Sequence, residues 1–208
     1  MWEIMVQSII LEKFEEWTKN SSPIKSRIKI FENIRDIPYA TIPELIDPVK
    51  GPIRILTQNR GSCSPKHFLL GIMYQKLNIP IQYASYPFNW NDLEANIPPK
   101  IRKLAEKMPI GYHVACKAYI NKKWIIIDAT WDLPLKREGF PVNEDWDGIS
   151  NTKNAVKPHK EIVHDNEYER MDYFRMKTAW HGKREETLNT EFYNEFNNWL
   201  EKIRSREY

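Results

Sequence analysis

Two apolar segments, Tyr112–Ile120 and Trp124–Asp128, are separated only by the polar residues Asn121-Lys122-Lys123. A parallel crossover needs a dozen or more residues, so the two segments must form an antiparallel hairpin. Alternation places Val114, Cys116, Ala118 and Ile120 on one face, and His113, Ala115, Lys117 and Tyr119 on the other. The first set is uniformly small or apolar and is assigned to the core, which makes Cys116 a structural thiol. If Asn121-Lys122 is a two-residue loop, Ile120 faces Lys123 and Asp128 falls opposite Ala115. Asp128 then shares the face of His113, and the two become diagonal neighbours with Cβ atoms roughly 7 Å apart. A three-residue loop would turn Asp128 to the opposite face. An imidazole–carboxylate pair therefore demands the even loop or a bulge.

Elsewhere the apolar spacing predicts helices. Over residues 1–20, Trp2, Met5, Val6, Ile9, Ile10, Phe14 and Trp17 recur at steps of three and four, until Ser21-Ser22-Pro23 breaks the pattern. A second helix is predicted over 24–35, with Ile24, Ile28, Phe31 and Ile34 as its stripe. Ile37-Pro38-Tyr39 then leaves extended, because the residue before proline disfavours the helical region. Residues 40–52 read as a proline-punctuated loop with a short helical turn. Ile53–Thr57 is short, and Asn59-Arg60-Gly61 is a turn. A helix over Pro65–Leu77, a strand over Ile79–Phe88 and a short helix over Pro99–Met108 precede the hairpin. Residues 129–165 read as loop-rich, as does the wider aromatic stretch 140–182, which is the candidate cover of any cleft. A last helix spans 187–203, with Leu188, Phe192, Phe196, Trp199 and Ile203 on one face. The expected class is α+β: helices first, then a helix feeding an antiparallel sheet, then a C-terminal helix.

Composition excludes several alternatives. With 208 residues, 41% hydrophobic and 12% aromatic, the chain has material for a core, so wholesale disorder is excluded. No domain boundary is evident, and the chain reads as one domain over 1–208. Lys and Arg number 31 against 28 Asp and Glu, a net charge of +3 that is too small and scattered to indicate nucleic-acid or membrane-surface partners. Two cysteines, Cys63 and Cys116, cannot build a disulfide scaffold or a four-thiolate zinc site. No apolar run approaches ~18 residues. The opening MWEIMVQSII lacks a basic region and a small-residue cleavage site, so no signal peptide is expected. These features predict a soluble, cytoplasmic protein of undetermined oligomeric state.

The chemistry centres on Gly61-Ser62-Cys63-Ser64-Pro65. Proline is tolerated in a first helical turn, so Pro65 marks the helix start and Cys63 falls within about a residue of it. A helix N-terminus carries roughly half a positive charge, which lowers the pKa of a thiol there. Its free amides can also donate to an oxyanion. A lone cysteine at a helix end is equally a small buried hydrophobe. What favours the nucleophile is the prospect of His113 and Asp128 meeting on the hairpin. Asp132, four residues further and past the strand end, is the alternative carboxylate.

These pieces resemble a family. Gly61-Ser62-Cys63 at a helix start, a strand opening with His113, and the run Trp124–Asp132 (WIIIDATWD) look like the transglutaminase-like superfamily. Asn78-Ile79-Pro80 is similar to the family's Gly-Ile-Pro turn, with Asn for Gly. Ile30–Tyr39 resembles its upstream helix-to-extended element. The likeness covers roughly 25–135, leaving an N-terminal helix over 1–24 and a C-terminal elaboration over 140–208. It implies a papain-like cysteine protease fold in a prokaryotic-type member, with the Cys helix packed on the antiparallel sheet. It also implies that Cys63 is the nucleophile, His113 the proton carrier and Asp128 the orienting carboxylate. The implied reaction passes through a thioester acyl-enzyme on a peptide or protein amide, as peptidase, deamidase or transamidase, without cofactor or metal. A non-catalytic peptide-binding relative and an arylamine-type N-acyltransferase are the competing functions.

Other residues receive provisional roles. Papain-like enzymes use an upstream Gln as second oxyanion donor and some transglutaminase relatives a Trp. Gln58 is the nearest candidate here, and Trp17 belongs to the first helix stripe. Trp131 is placed to flank a substrate groove. Most of Trp90, Trp124, Trp131, Trp146 and Trp180 are expected in core or cleft wall. His67, four residues after Cys63 and on roughly the same helix face, could tune the thiol, but a solvent-facing histidine is the expectation. His159 and His164 lack metal-ligand spacing and a third partner. No phosphate-binding, dinucleotide or EF-hand motif occurs, so no nucleotide or calcium site is expected.

Overall fold

The computed structural model describes residues 2–179 and 183–205, with the side chains of 8–179 and 188–205. Four helices come first: α1 (Trp2–Thr18), α2 (Pro23–Arg35), α3 (Gly51–Gln58) and α4 (Cys63–Lys76). They are followed by β1 (Ile81–Phe88), α5 (Pro99–Ala105), β2 (Gly111–Ile120), β3 (Lys123–Ile127), β4 (Ile162–His164), α6 (Glu167–Thr178) and α7 (Lys183–Arg204). The expected α+β class is the one found. The sheet is antiparallel throughout, in the order β3-β2-β1-β4.

Local chemistry sets these boundaries. Ser22 caps α2 by accepting from the Lys25 amide, and Pro23 opens the first turn. Asn78, at φ 58°, takes the left-handed position that closes α4. The hairpin turn has both central residues left-handed, Asn121 at 50° and Lys122 at 63°. That is the turn whose twist matches two antiparallel strands. It enforces Ile120 opposite Lys123 and Cys116 opposite Ile127, the even register that an imidazole–carboxylate pair requires.

The sheet separates two apolar clusters. Val114, Cys116, Ala118 and Ile120 point into the first, with Ile30, Phe31, Phe68, Leu69 and Met73 from α2 and α4. Ala84, Tyr86, Phe88 and Ala115 point into the second, where Phe192, Phe196, Trp199 and Ile203 of α7 pack with Trp131 and Phe140. Fully burying one such large side chain contributes roughly 1.5–3 kcal/mol. The last-helix stripe is therefore as expected, with Leu188 only half-buried. Of the first-helix stripe, Ile10 is buried and Ile9, Phe14 and Trp17 pack against the first cluster. The side chains of Trp2, Met5 and Val6 lie outside the described residues, as does Trp180.

Three segments differ from the sequence reading. The short Ile53–Thr57 segment belongs to helix α3. The stretch read as loop-rich contains strand β4, which pairs with β1, and helix α6. Helix α6 is polar, with only Arg170 and Met171 buried, so it has no apolar stripe to detect. Its start is nevertheless written in the sequence as a capping box. The Asn166 side chain accepts from the Tyr168 and Glu169 amides, and Glu169 accepts from the amide of Asp165.

Buried polar groups join the layers. The Lys66 ammonium donates to the carbonyl oxygens of Arg35, Ile37 and Thr130 at 2.8, 2.9 and 2.7 Å. Burial pulls its pKa down to about 7. Only the ammonium form has three hydrogens for three carbonyls. Arg204 forms a two-pronged pair with Asp132 at 2.8 Å on each oxygen and also reaches the Tyr39 carbonyl, tying α7 to the segments beside β3 and α2.

Candidate active site

Cys63 is the first residue of α4, after Ser62 in an extended conformation. The approach to it is clamped. Gly61 donates to the Pro38 carbonyl and accepts from the Ala40 amide, each at 3.1 Å. A Cβ on Gly61 would sit 2.5 Å from Ile55 Cγ2, so only glycine lets this strand press against α3. The thiol itself is half-buried.

His113 lies near the start of β2 and is 3% exposed. Its Nε2 meets Asp128 Oδ2 at 2.7 Å. Asp128 follows β3 and is fully enclosed. The carboxylate also accepts from the Ala155 amide at 2.7 Å and the Thr130 amide at 3.1 Å. Its backbone is held in turn: Asp128 N donates to Thr152 Oγ1, and Asn143 Nδ2 donates to the Asp128 carbonyl. With Nε2 committed to the carboxylate, Nδ1 is the ring nitrogen left for the thiol. The Tyr86 ring stacks on His113 at 6.0 Å, and its hydroxyl donates to Glu161.

Electrostatics at these three groups point one way. Burial alone would raise the Cys63 pKa, but His113, Arg170 and the Val114 amide outweigh it and the thiol is lowered. Burial likewise works against a charged His113, yet Asp128 and Cys63 lift it to about 10. Burial opposes the Asp128 charge too, and His113 nonetheless holds this carboxyl well below the usual carboxylate range. The arrangement can therefore hold a thiolate beside an imidazolium, which is chemically a nucleophile beside its proton donor.

Sequence-predicted residues fall on both sides of this picture. Cys63, His113, Trp131 and Trp90 line one cavity, and Asp128 stands behind His113. Trp131 is buried, with its indole N–H used by the Ala155 carbonyl. Gln58 is not there. It is exposed at the end of α3 and does not line the cavity, because the turn at left-handed Asn59 ends the helix before the chain reaches Cys63. Trp17 packs on the first core cluster. Asp132 is turned away by its pairing with Arg204. Cys116 is enclosed and donates to the His67 carbonyl. Trp146 is buried, but Trp124 is 40% exposed on the hairpin rather than in core or wall.

His67 is a correction. It is fully buried instead of facing solvent. Its Nδ1 meets the Cys63 carbonyl oxygen at 2.8 Å, and its Nε2 accepts the Ala129 amide at 3.0 Å. Burial lowers its pKa to about 4, so the ring is neutral with Nδ1 as donor. The i,i+4 spacing from Cys63 placed it correctly along the helix, but nothing in a single helix pattern says that β3 ends against that face. Arg170 is likewise buried beside the site, its guanidinium 4.9 Å from the Phe174 ring and one arm donating to the Tyr112 carbonyl. His159 is exposed near Asn89, and His164 bonds Ser85. Among the described residues no group of three or more His, Cys, Asp or Glu could hold a metal ion, and no helix is long and apolar enough to cross a membrane.

No family model and no curated protein matches this sequence. A solved structure similar to it is that of a protein from Cytophaga hutchinsonii provisionally designated a cysteine protease. The identity is 19% and the TM-score 0.42, over 77% of this chain and 47% of the other. The chain thus spans about half the length of that protein.

Proposed function

We propose that this protein is a cysteine-dependent enzyme of the transglutaminase-like kind, acting on an amide bond through Cys63, His113 and Asp128. The supporting observation is a thiol at a helix tip that shares its cavity with an imidazole, and a carboxylate 2.7 Å behind that imidazole. The Cys63 thiolate attacks the carbonyl carbon, forming an S–C bond. The oxyanion draws on free amides at the start of α4. His113 gives its proton to the leaving nitrogen as the C–N bond breaks, leaving a thioester. Water or an amine then attacks, losing a proton to His113, and the thiolate is restored. Asp128 keeps Nε2 protonated and the ring aimed at sulfur.

The test is covalent. Incubation with a 4-nitrophenyl ester should release a burst of nitrophenol, with the acyl group on Cys63 by intact-mass analysis. The Cys63→Ala protein should show neither. A wild-type protein that forms no adduct, while its cysteine reacts with iodoacetamide only above pH ~8 as a free thiol does, would sink the reading. Acyl transfer to Cys63 from acetyl-CoA in preference to amides would move it to the N-acyltransferase class.

A further inference from the structure

The cavity beside Cys63 encloses about 360 Å³. That is the lower end of the range for small-molecule sites, with room for one large side chain and an adjoining amide. Its walls include Trp90, Trp131, Phe174 and Tyr193, and among the described lining residues there is no Asp, Glu, Lys or Arg. The charged groups around the thiol also balance: thiolate and Asp128 against imidazolium and Arg170. A charged ligand side chain entering here would leave water without finding a counter-ion among the described lining residues.

Polar side chains interrupt the apolar wall, among them Ser62, Thr130 and Asn189. Thr130 Oγ1 and Asn189 Oδ1 are both buried, both belong to residues lining the cavity, and neither finds a hydrogen-bond partner among the described residues. Thr130 is 2% exposed and follows Asp128 by two residues, with its amide on that carboxylate. Asn189 comes from α7, on a different element. A hydroxyl can donate to a carbonyl, and a carboxamide oxygen accepts from an N–H.

We infer that this cavity is the substrate pocket and selects a neutral amide bearing an apolar, aromatic-sized side chain, with Thr130 donating to its carbonyl and Asn189 accepting its N–H. The inference rests on the triad reading and adds the substrate class to it. The experiment follows the alkylation of Cys63 by iodoacetamide at pH 6 in the presence of N-acetyl-phenylalaninamide, or of the corresponding aspartate or lysine amide. The phenylalanine amide should protect with an apparent Kd at least about tenfold lower than either charged amide. Thr130→Val should weaken that protection about tenfold. Equal or better protection by a charged amide, or no protection by any, overturns the pocket assignment while a fast Cys63 keeps the triad. A Cys63 that alkylates as an ordinary thiol sinks the triad reading, and the pocket assignment falls with it.

Discussion

His67 Nε2 stands 3.7 Å from Asp128 Oδ1 without bonding it, because that nitrogen already accepts the Ala129 amide. The ring's other nitrogen is on the Cys63 carbonyl. One neutral imidazole thus bolts the nucleophile's helix to the strand end that carries the carboxylate. His67→Phe keeps an aromatic ring but strands a buried carbonyl and a buried amide. The expected loss is roughly 2–6 kcal/mol in urea unfolding, at about 1–3 kcal/mol for each of the two unsatisfied groups. The Cys63 alkylation rate at pH 6 should fall with it. An unchanged rate and midpoint would remove His67 from the site.

The pH dependence follows from opposed shifts. Cys63 is lowered and His113 raised to about 10, so thiolate and imidazolium coexist between the two. Alkylation should set in below the pH range of an ordinary thiol, and His113→Asn should move its onset up into that range, about pH 8.5. The same shifts set stability. The folded His113 pKa lies above its unfolded value near 6.5, so its contribution is complete below about pH 6.5 and is lost as pH rises through about 10. Asp128 is depressed, so its contribution is present above about pH 4 and is lost as pH falls below that.

Two carboxylates compete for the third place, and a pair of isosteric changes separates them. Asp128→Asn should shift the alkylation profile upward and slow it, since His113 loses the charge that lifts it. Asp132→Asn should leave that profile in place. It should instead destabilise the fold by roughly 3–5 kcal/mol, the range for breaking a buried ion pair, because Arg204 would lose its partner. Reversed results would reassign the triad.

The hairpin turn admits a stabilising change. Lys122 holds φ at 63° without being glycine, a conformation that costs an L-residue about 1 kcal/mol. Lys122→Gly creates an Asn-Gly turn and should raise the urea midpoint by the equivalent of about 0.5–1 kcal/mol. A fall in the midpoint would mean that the lysine side chain contributes more than its backbone costs.

What the sequence disclosed was local and periodic. Alternation along β2 separated Cys116 from His113. The two-residue turn put Asp128 on the side of His113, and Pro65 located the helix tip at Cys63. What stayed hidden depended on docking between elements. Nothing in the helix beginning at Cys63 says that Ala129 will meet His67, so a buried histidine read as a solvent-facing one. Gln58 was near Cys63 in number but not in space, because a left-handed Asn59 intervenes. Helix α6 carries no apolar stripe, and only its Asn166–Glu169 cap marked it. Thr130 and Asn189 are ordinary polar residues until the cavity closes around their oxygens.

Asp128 Oδ2 divides its lone pairs between His113 and the Ala155 amide. The loop that supplies that amide is sewn to the same strand end through Asn143 and Thr152. Loosening the loop would concentrate the carboxylate's pull on the imidazole, and tightening it would dilute that pull. A stretch of chain that never touches sulfur thereby acts as a tuning screw on the thiol, and sequence drift there would retune Cys63 while Cys63, His113 and Asp128 all stayed in place.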